Sequence, residues 1–562
     1  MSSGNGTEEG RSEVERIKEQ SRGLRGRLRE ELLEESSHLS DESKQLLKFH
    51  GSYQQEDRDQ RRALKKAGQE PAWSFMIRSR IPGGVLTAEQ YLVHDDLAGR
   101  FANGSLRLTT RQGIQLHGVI KSELRATIRA LNDELVSTLG ACGDVNRNVM
   151  SCPAPLPGAL RAEVFHVALR VSQHLLPDTR AYAEIWLDGE RVTDEPEPDP
   201  LYGDRYLPRK FKTTFAFPDD NCTDVYANDL GFLAVHDVKL RGFDVLVGGG
   251  LGQTHGKAET FPRLAEPLGF IKPDEALAVA AAVVAVQRDH GNRADRRRAR
   301  LKYLIDERGI DWFREQVEQR IGRKLENPSG ATVTATHDHL GWHGQGDGLW
   351  FLGLHVENGR VRDNADLELR TALRRITASI RPGVHLTPQQ NVLLAGIPEA
   401  RRVEVDRILG DHGVHTLTEL SVVRRWAMAC PALPTCPLAL AEAERSLPAV
   451  LTELEAELER LGLADERFTV RMTGCPNGCA RPYTADIAFV GRSLDKYAVY
   501  AGGNLVGTRL NHAYADLVRT ADLVSAVRPL LERYREERLP GEALGDFAHR
   551  VQAQAAEPAR LS

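Results

Sequence analysis

At 562 residues the chain is several times a typical domain, so more than one hydrophobic core is expected. Its 41% apolar and 27% charged residues exclude fibrous and disordered classes. A net charge of −5 gives no field that points to nucleic acid, and the longest apolar run, 276–286, is too short to span a bilayer.

Taken in chain order, residues 1–70 are rich in Glu, Arg, Ser and Lys, with Leu24, Leu28 and Leu32 at helical spacing. They are expected to form a mobile N-terminal arm, either a solvated tail or a segment that docks a partner. The arm has no apolar h-region, so a cytoplasmic location is expected. Strands are predicted at 74–80, 105–119, 181–187 and 468–472, and helices at 124–139, 273–287 and 438–461, which is an α+β pattern. Along 106–117, Arg107, Thr109, Arg111, Gln115 and His117 take odd positions and most apolar residues even ones; Thr110 and Gln112 break the alternation. On a strand those five share a face suited to carboxylates, because the guanidinium fork binds them bidentately. A half-exposed strand with solvated arginines is the competing reading. In 207–213, Lys210 and Lys212 fall on one face and Arg209 on the other; taken alone, this is how an edge strand discourages aggregation. The glycine run 247–252 lacks the G-x-G-x-x-G order of a dinucleotide loop and reads as a turn or a close backbone approach to a bulky cofactor.

The chain repeats itself. Leu108-Thr109-Thr110-Arg111-Gln112 corresponds to Leu386-Thr387-Pro388-Gln389-Gln390 at an offset of 278, and the same offset carries Met150-Ser151-Cys152-Pro153-Ala154 onto Met428-Ala429-Cys430-Pro431-Ala432. A third echo, Val247-Gly248-Gly249-Gly250 against Ala501-Gly502-Gly503-Asn504, follows at a shorter separation, as expected if loops diverged in length. Two related halves are implied, with a large ligand sought between them.

Seven cysteines are too few to staple so long a chain, and four of them cluster. Five residues separate Cys430 from Cys436, three separate Cys475 from Cys479, and thirty-eight lie between the pairs. Zinc also accepts four thiolates, but its pairs usually have two to four intervening residues. Prolines directly after Cys430, Cys436 and Cys475 occur in iron–sulfur runs too. Cys142, Cys152 and Cys222 read as buried small apolar residues without function.

The segments 428–439 and Thr473-Gly474-Cys475-Pro476-Asn477-Gly478-Cys479 resemble the paired cluster motifs of the siroheme-containing sulfite and nitrite reductases. The likeness runs from about Lys48 to Phe547 and is closest to the hemoprotein subunits of assimilatory sulfite reductases. It implies a pseudo-twofold fold of three domains: 71–140 with 340–415 as paired ferredoxin-like repeats, 141–339 as the first siroheme and substrate domain, and 416–540 as the second, carrying a [4Fe-4S] cluster, with 541–562 as a tail. It implies that Cys430, Cys436, Cys475 and Cys479 hold the cluster and that Cys479 also ligates the siroheme iron. Arg107, Thr109, Arg111, Gln115, His117, Arg209 and Asn477 would bind siroheme, and Arg78, Arg147, Lys210 and Lys212 would surround sulfite. Lys212 favours sulfite, since an asparagine generally replaces it in the nitrite-preferring relatives. No flavin or nicotinamide segment is apparent, so electrons would come from a separate protein, an NADPH-oxidising flavoprotein or a ferredoxin. A nitrite reductase of the same architecture and a non-catalytic metal-binding relay are the alternatives.

Overall fold

The computed structural model describes residues 10–178, 186–187, 190–191, 198–415 and 417–556. Most of the strand expected at 181–187 lies outside the described residues. Five strands come first: β1 (Ser52–Glu56), β2 (Trp73–Arg78), β3 (Val85–Leu86), β4 (Leu106–Leu108) and β5 (Ile114–Val119). A short pair, β6 (Trp186–Leu187) and β7 (Glu190–Arg191), precedes β8 (Thr213–Ala216), β9 (Leu230–His236), β10 (Leu240–Val247) and β11 (Glu266–Ile271). The second half supplies β12 (Gly341–Gly344), β13 (Leu349–Leu354), β14 (Arg360–Val361), β15 (Gly383–Leu386) and β16 (Val392–Pro398). A last set follows: β17 (Ala427–Ala429), β18 (Val470–Thr473), β19 (Ile487–Ser493), β20 (Lys496–Ala501) and β21 (His512–Arg519).

Two of the sheets are images of each other, ordered β1-β2-β5-β4-β14 and β12-β13-β16-β15-β3. Each half therefore lends a two-residue strand to the sheet of the other. The crossing needs glycine: Gly84 and Gly359 have φ of +78° and +72°, and a Cβ there would lie 2.4 Å from the Leu386 and Leu108 carbonyl oxygens respectively. The registers repeat with the offset read from the sequence: Leu108 faces Ile114 as Leu386 faces Val392, and the helix Leu124–Asp133 returns as Arg402–Asp411. Both helices bury one apolar stripe, Leu124, Thr127 and Leu131 in the first and Val405, Ile408 and Leu409 in the second.

The other two sheets, β11-β10-β9-β8 and β17-β18-β19-β20-β21, are related as well, at an offset of 257. β8 runs parallel to β9 with Thr213 opposite Leu230, and β18 parallel to β19 with Val470 opposite Ile487. The Lys212 amide donates to Asp229 Oδ2 and the Thr469 amide to Asp486 Oδ2, each at 2.9 Å.

Several sequence expectations are corrected. The described part of the arm is packed: Ile17, Leu24 and Leu28 join the main core, and Lys18 is buried, its ammonium donating to the Leu207 carbonyl at 2.7 Å. Leu24, at φ +71°, sits between the helices Glu13–Glu19 and Leu28–Glu31, so the spacing of its leucines does not belong to one helix. The 105–119 segment is a hairpin, turned by Thr109 to Gly113, because the Thr109 hydroxyl accepts from the amides of Arg111 and Gly113. The helix predicted at 438–461 begins at Leu447, and the 541–562 tail contains the helix Leu544–Ala556, which buries Leu544, Phe547 and Ala548.

Candidate functional site

Parallel pairing of β17 with β18 sets Ala429 beside Met472, so the chain leaves both strands at the same end. Cys430 and Cys475 thus come together although 45 residues apart, with the Gly474 amide donating to Cys430 Sγ at 3.4 Å. Cys436 is carried back by a turn, its amide donating to the Ala432 carbonyl at 2.9 Å. Asn477 Nδ2 donates to Cys479 Sγ at 3.2 Å. Cys430 is buried, Cys436 and Cys475 half-buried and Cys479 exposed. Burial, and then the charge of Cys479, raise the thiols of Cys430, Cys436 and Cys475 above their ordinary value, Cys475 to about 12. Cys430, Cys436 and Cys475 are thus held as thiols until a metal draws off their protons, and a soft donor set of four sulfurs fits iron–sulfur.

Cys479 opens on a cleft lined by Arg111, Lys210, Lys212, Arg300 and Asn477. Arg300 is matched by Asp229, to which it donates at 2.9 and 2.7 Å. Among the described residues neither lysine ammonium has an acidic partner. Lys210 is pushed down to about 7, by burial and then Arg209, and Lys212 falls well below its ordinary value, by burial and then Arg111 and Arg300. Arg111 donates to Asn228 Oδ1 and the Asn148 carbonyl, both at 2.7 Å, and its buried Nε has no partner among the described residues. Arg147 is braced by the carbonyls of Gly143 and Ala141. Arg78 lies against Cys142 Sγ at 3.0 Å and the Gln115 amide oxygen, and its charge environment includes Cys479. A buried surplus of cation with open donors suits a polyanionic ligand.

The structure separates the residues of the expected carboxylate-binding face. Arg107 is fully engaged at the junction between halves: Nε donates to Glu444 at 3.0 Å, Nη2 to the Ala429 carbonyl at 2.8 Å and Nη1 to the Leu108 carbonyl at 2.9 Å. Thr109 caps the turn. His117 touches Gln55 at 3.3 Å and keeps a buried Nε2 without a partner among the described residues. Arg209 turns from the lysines toward Asp144, 3.9 Å away. Lys210 and Lys212 share a side as expected, although β8 starts only at Thr213; the bridge of Asn146 to Phe211 preserves the alternation. Gly252 packs at the cluster loop, where Gln253 donates to the Pro476 carbonyl. Sequence reasoning missed Thr110, whose hydroxyl donates to the Cys479 carbonyl at 3.1 Å, and Arg300. Thr110 was legible as the break in the alternation; Arg300 carried no signal.

A nitrite and sulphite reductase 4Fe-4S domain matches residues 168–325 and 423–555, and a nitrite/sulfite reductase ferredoxin-like half domain matches 68–134 and 343–412. The chain belongs to the nitrite and sulphite reductase family. It carries the family's [4Fe-4S] domain and is an oxidoreductase. The chain is 47% identical over 546 residues, 96% of its length and 95% of the relative's, to the sulfite reductase [NADPH] hemoprotein beta-component of Geobacillus kaustophilus. That of Acidithiobacillus ferrooxidans is 48% identical over 541 residues, 96% of each chain. The structure of the Mycobacterium tuberculosis NirA protein superposes with a TM-score of 0.78 at 26% identity, covering 97% of both chains. Among the described residues no helix is long and apolar enough to cross a membrane.

Proposed function

We propose that this chain is the hemoprotein subunit of an assimilatory sulfite reductase, which reduces sulfite to sulfide with six electrons in the cytoplasm. The observation that carries the reading is the convergence of four cysteines whose most exposed member, Cys479, opens on a cleft where Lys210 and Lys212 have no acidic partner among the described residues. Cys430, Cys436, Cys475 and Cys479 would hold the [4Fe-4S] cluster, and Cys479 would also hold siroheme. When bound, siroheme and cluster would supply the electron transfer. Arg111 and Asn477, which line the cleft, would bind and orient siroheme carboxylates, while Gln115 supports Arg78. Arg107 supports the site from the domain junction, where it ties β4 to the Ala429 carbonyl beside Cys430.

Lys210, Lys212, Arg78 and Arg147 receive sulfite. Each cation near 4 Å gains about 4 kcal/mol from a unit charge at an effective dielectric near 20, before desolvation. Lys210 titrates at about 7, so its Nζ both holds and releases a proton at neutral pH, as cleavage of S–O bonds requires. Arg147 has its guanidinium held in place by two carbonyls. Electrons come from a separate donor protein, an NADPH-oxidising flavoprotein, a reading supported by the NADPH in the names of the relatives; a ferredoxin is the alternative.

The visible spectrum of anaerobically purified protein tests the reading, with steady-state sulfite reduction measured with each purified donor. Intense macrocycle bands and sulfide production are expected; protein without macrocycle or acid-labile sulfide overturns it. The ratio of kcat/KM on sulfite and nitrite decides between the two anions.

A further inference from the structure

Away from the cluster, four side chains with metal-binding atoms meet in the first half. Cys152, Asp220, Cys222 and His339 are all buried, and their ligating atoms lie within 4.8 Å of one another. Cys152 Sγ is 3.1 Å from Asp220 Oδ2 and 3.4 Å from His339 Nε2, and His339 Nε2 is 3.0 Å from Asp220 Oδ2. The other carboxylate oxygen, Oδ1, accepts from the amides of Cys222 and His337, which turns Oδ2 inward. Arg161 Nη1 also reaches Oδ2, at 3.3 Å.

Their place in the fold is not arbitrary. The bridge of Met150 to Thr214 is the counterpart of Met428 paired with Arg471, so Cys152, two residues on, occupies the position of Cys430. The β8–β9 register carried by 257 residues onto β18–β19 sets Cys222 on Cys479 and Asp220 on Asn477. A second cleft borders Cys222, lined by Gln389, Met428 and Thr469 where the first has Arg111, Met150 and Lys212. Lys212 and Arg111 of the first cleft are thus replaced by the neutral Thr469 and Gln389, while Arg425 and Arg471, which also line this cleft, are paired with Asp338 and Asp224.

We propose that Cys152, Asp220, Cys222 and His339 bind one mononuclear divalent ion of the zinc type, at the pseudo-symmetric image of the [4Fe-4S] cluster. Tetrahedral zinc bonds of about 2.0–2.3 Å put neighbouring ligand atoms about 3.3–3.8 Å apart, close to the separations found here and too near for thiolates to straddle a four-iron cluster. Two thiolates, a carboxylate and an imidazole suit zinc, and Arg161 offsets the surplus negative charge. Binding requires both thiols to lose protons to solvent; no electron is transferred. The cysteines of the first half thus keep the ancestral positions with a different inorganic guest.

The test is elemental analysis of the holoenzyme, prepared without added metal, together with zinc-edge X-ray absorption. About one zinc per chain, with two sulfur and two nitrogen or oxygen neighbours, is expected. Cys152→Ser with Cys222→Ser should lose the zinc while keeping acid-labile sulfide and the macrocycle spectrum. Zinc retained in that variant, wild type with under about a tenth of an equivalent, or a Cys152–Cys222 disulfide in a non-reduced peptide map overturns the proposal. If the double variant does not fold, His339→Ala must lower zinc occupancy and change the absorption edge, and unchanged spectra refute the site.

Discussion

Glu444 offers a sharp test of how the halves are joined. Its carboxylate accepts from Arg107 Nε at 3.0 Å and from Arg360 Nε and Nη2 at 2.6 and 3.0 Å, while Arg107 is only 1% exposed. Glu444→Ala leaves that guanidinium buried without its counter-ion, a change that costs about 3–5 kcal/mol. If the 423–555 domain unfolds as a unit, each kcal/mol lowers Tm by about 2–4 °C, so a fall on the order of 10 °C is expected in calorimetry. The pH dependence follows from the same contacts. Burial pushes the Glu444 carboxyl up, but the two guanidinium groups outweigh it and hold it below its ordinary value. Its contribution is therefore complete above the unfolded value of about 4.3 and is lost as the pH falls through the lower folded value, where variant and wild type converge. Replacing Arg107, Arg360 and Glu444 together by methionine should recover most of the loss. A Glu444→Ala protein within about 1 kcal/mol of wild type would refute the reasoning.

Lys212→Ala and Arg147→Ala are expected to keep the siroheme spectrum and lose at least about tenfold in kcat/KM for sulfite; unchanged turnover in a fully loaded variant rejects their role. Because Lys210 is lowered to about 7, it is charged below that pH and neutral above, so the sulfite KM should rise on the alkaline side. Lys210→Arg should flatten the rise, and nitrite, a monoanion throughout, controls for ionisation of the substrate itself. Cys436→Ser should reduce acid-labile sulfide and macrocycle absorbance together, since one cluster supports both; intact sulfide would remove Cys436 from the ligand set.

The repeat was legible because strand registers preserve spacing: the offset of 278 between Leu108 and Leu386 survives as paired hydrogen-bonding partners. The four cysteines were legible for a similar reason, each motif being short and local. Arg107 misled because alternation along 106–117 assumes one strand, whereas the Thr109 hydroxyl turns the chain and sends Arg107 to Glu444. Arg300 and His339 were invisible, since only tertiary contacts with Asp229 and Asp220 bring them in. The arm deceived through composition: its charges suggested solvent, yet Lys18 is satisfied by Glu15 and Leu207 inside the protein.

The exchange of β3 and β14 has a consequence for biosynthesis. Among the described residues the β4 edge is closed only by Arg360 and Val361. A nascent chain that has emerged through β5 therefore carries an open sheet edge while more than two hundred further residues are translated, the period in which unpaired strands invite aggregation. Ribosomes that stall before Val361 should release a product that chaperones retain, and the two halves expressed as separate polypeptides should regain solubility only when made together.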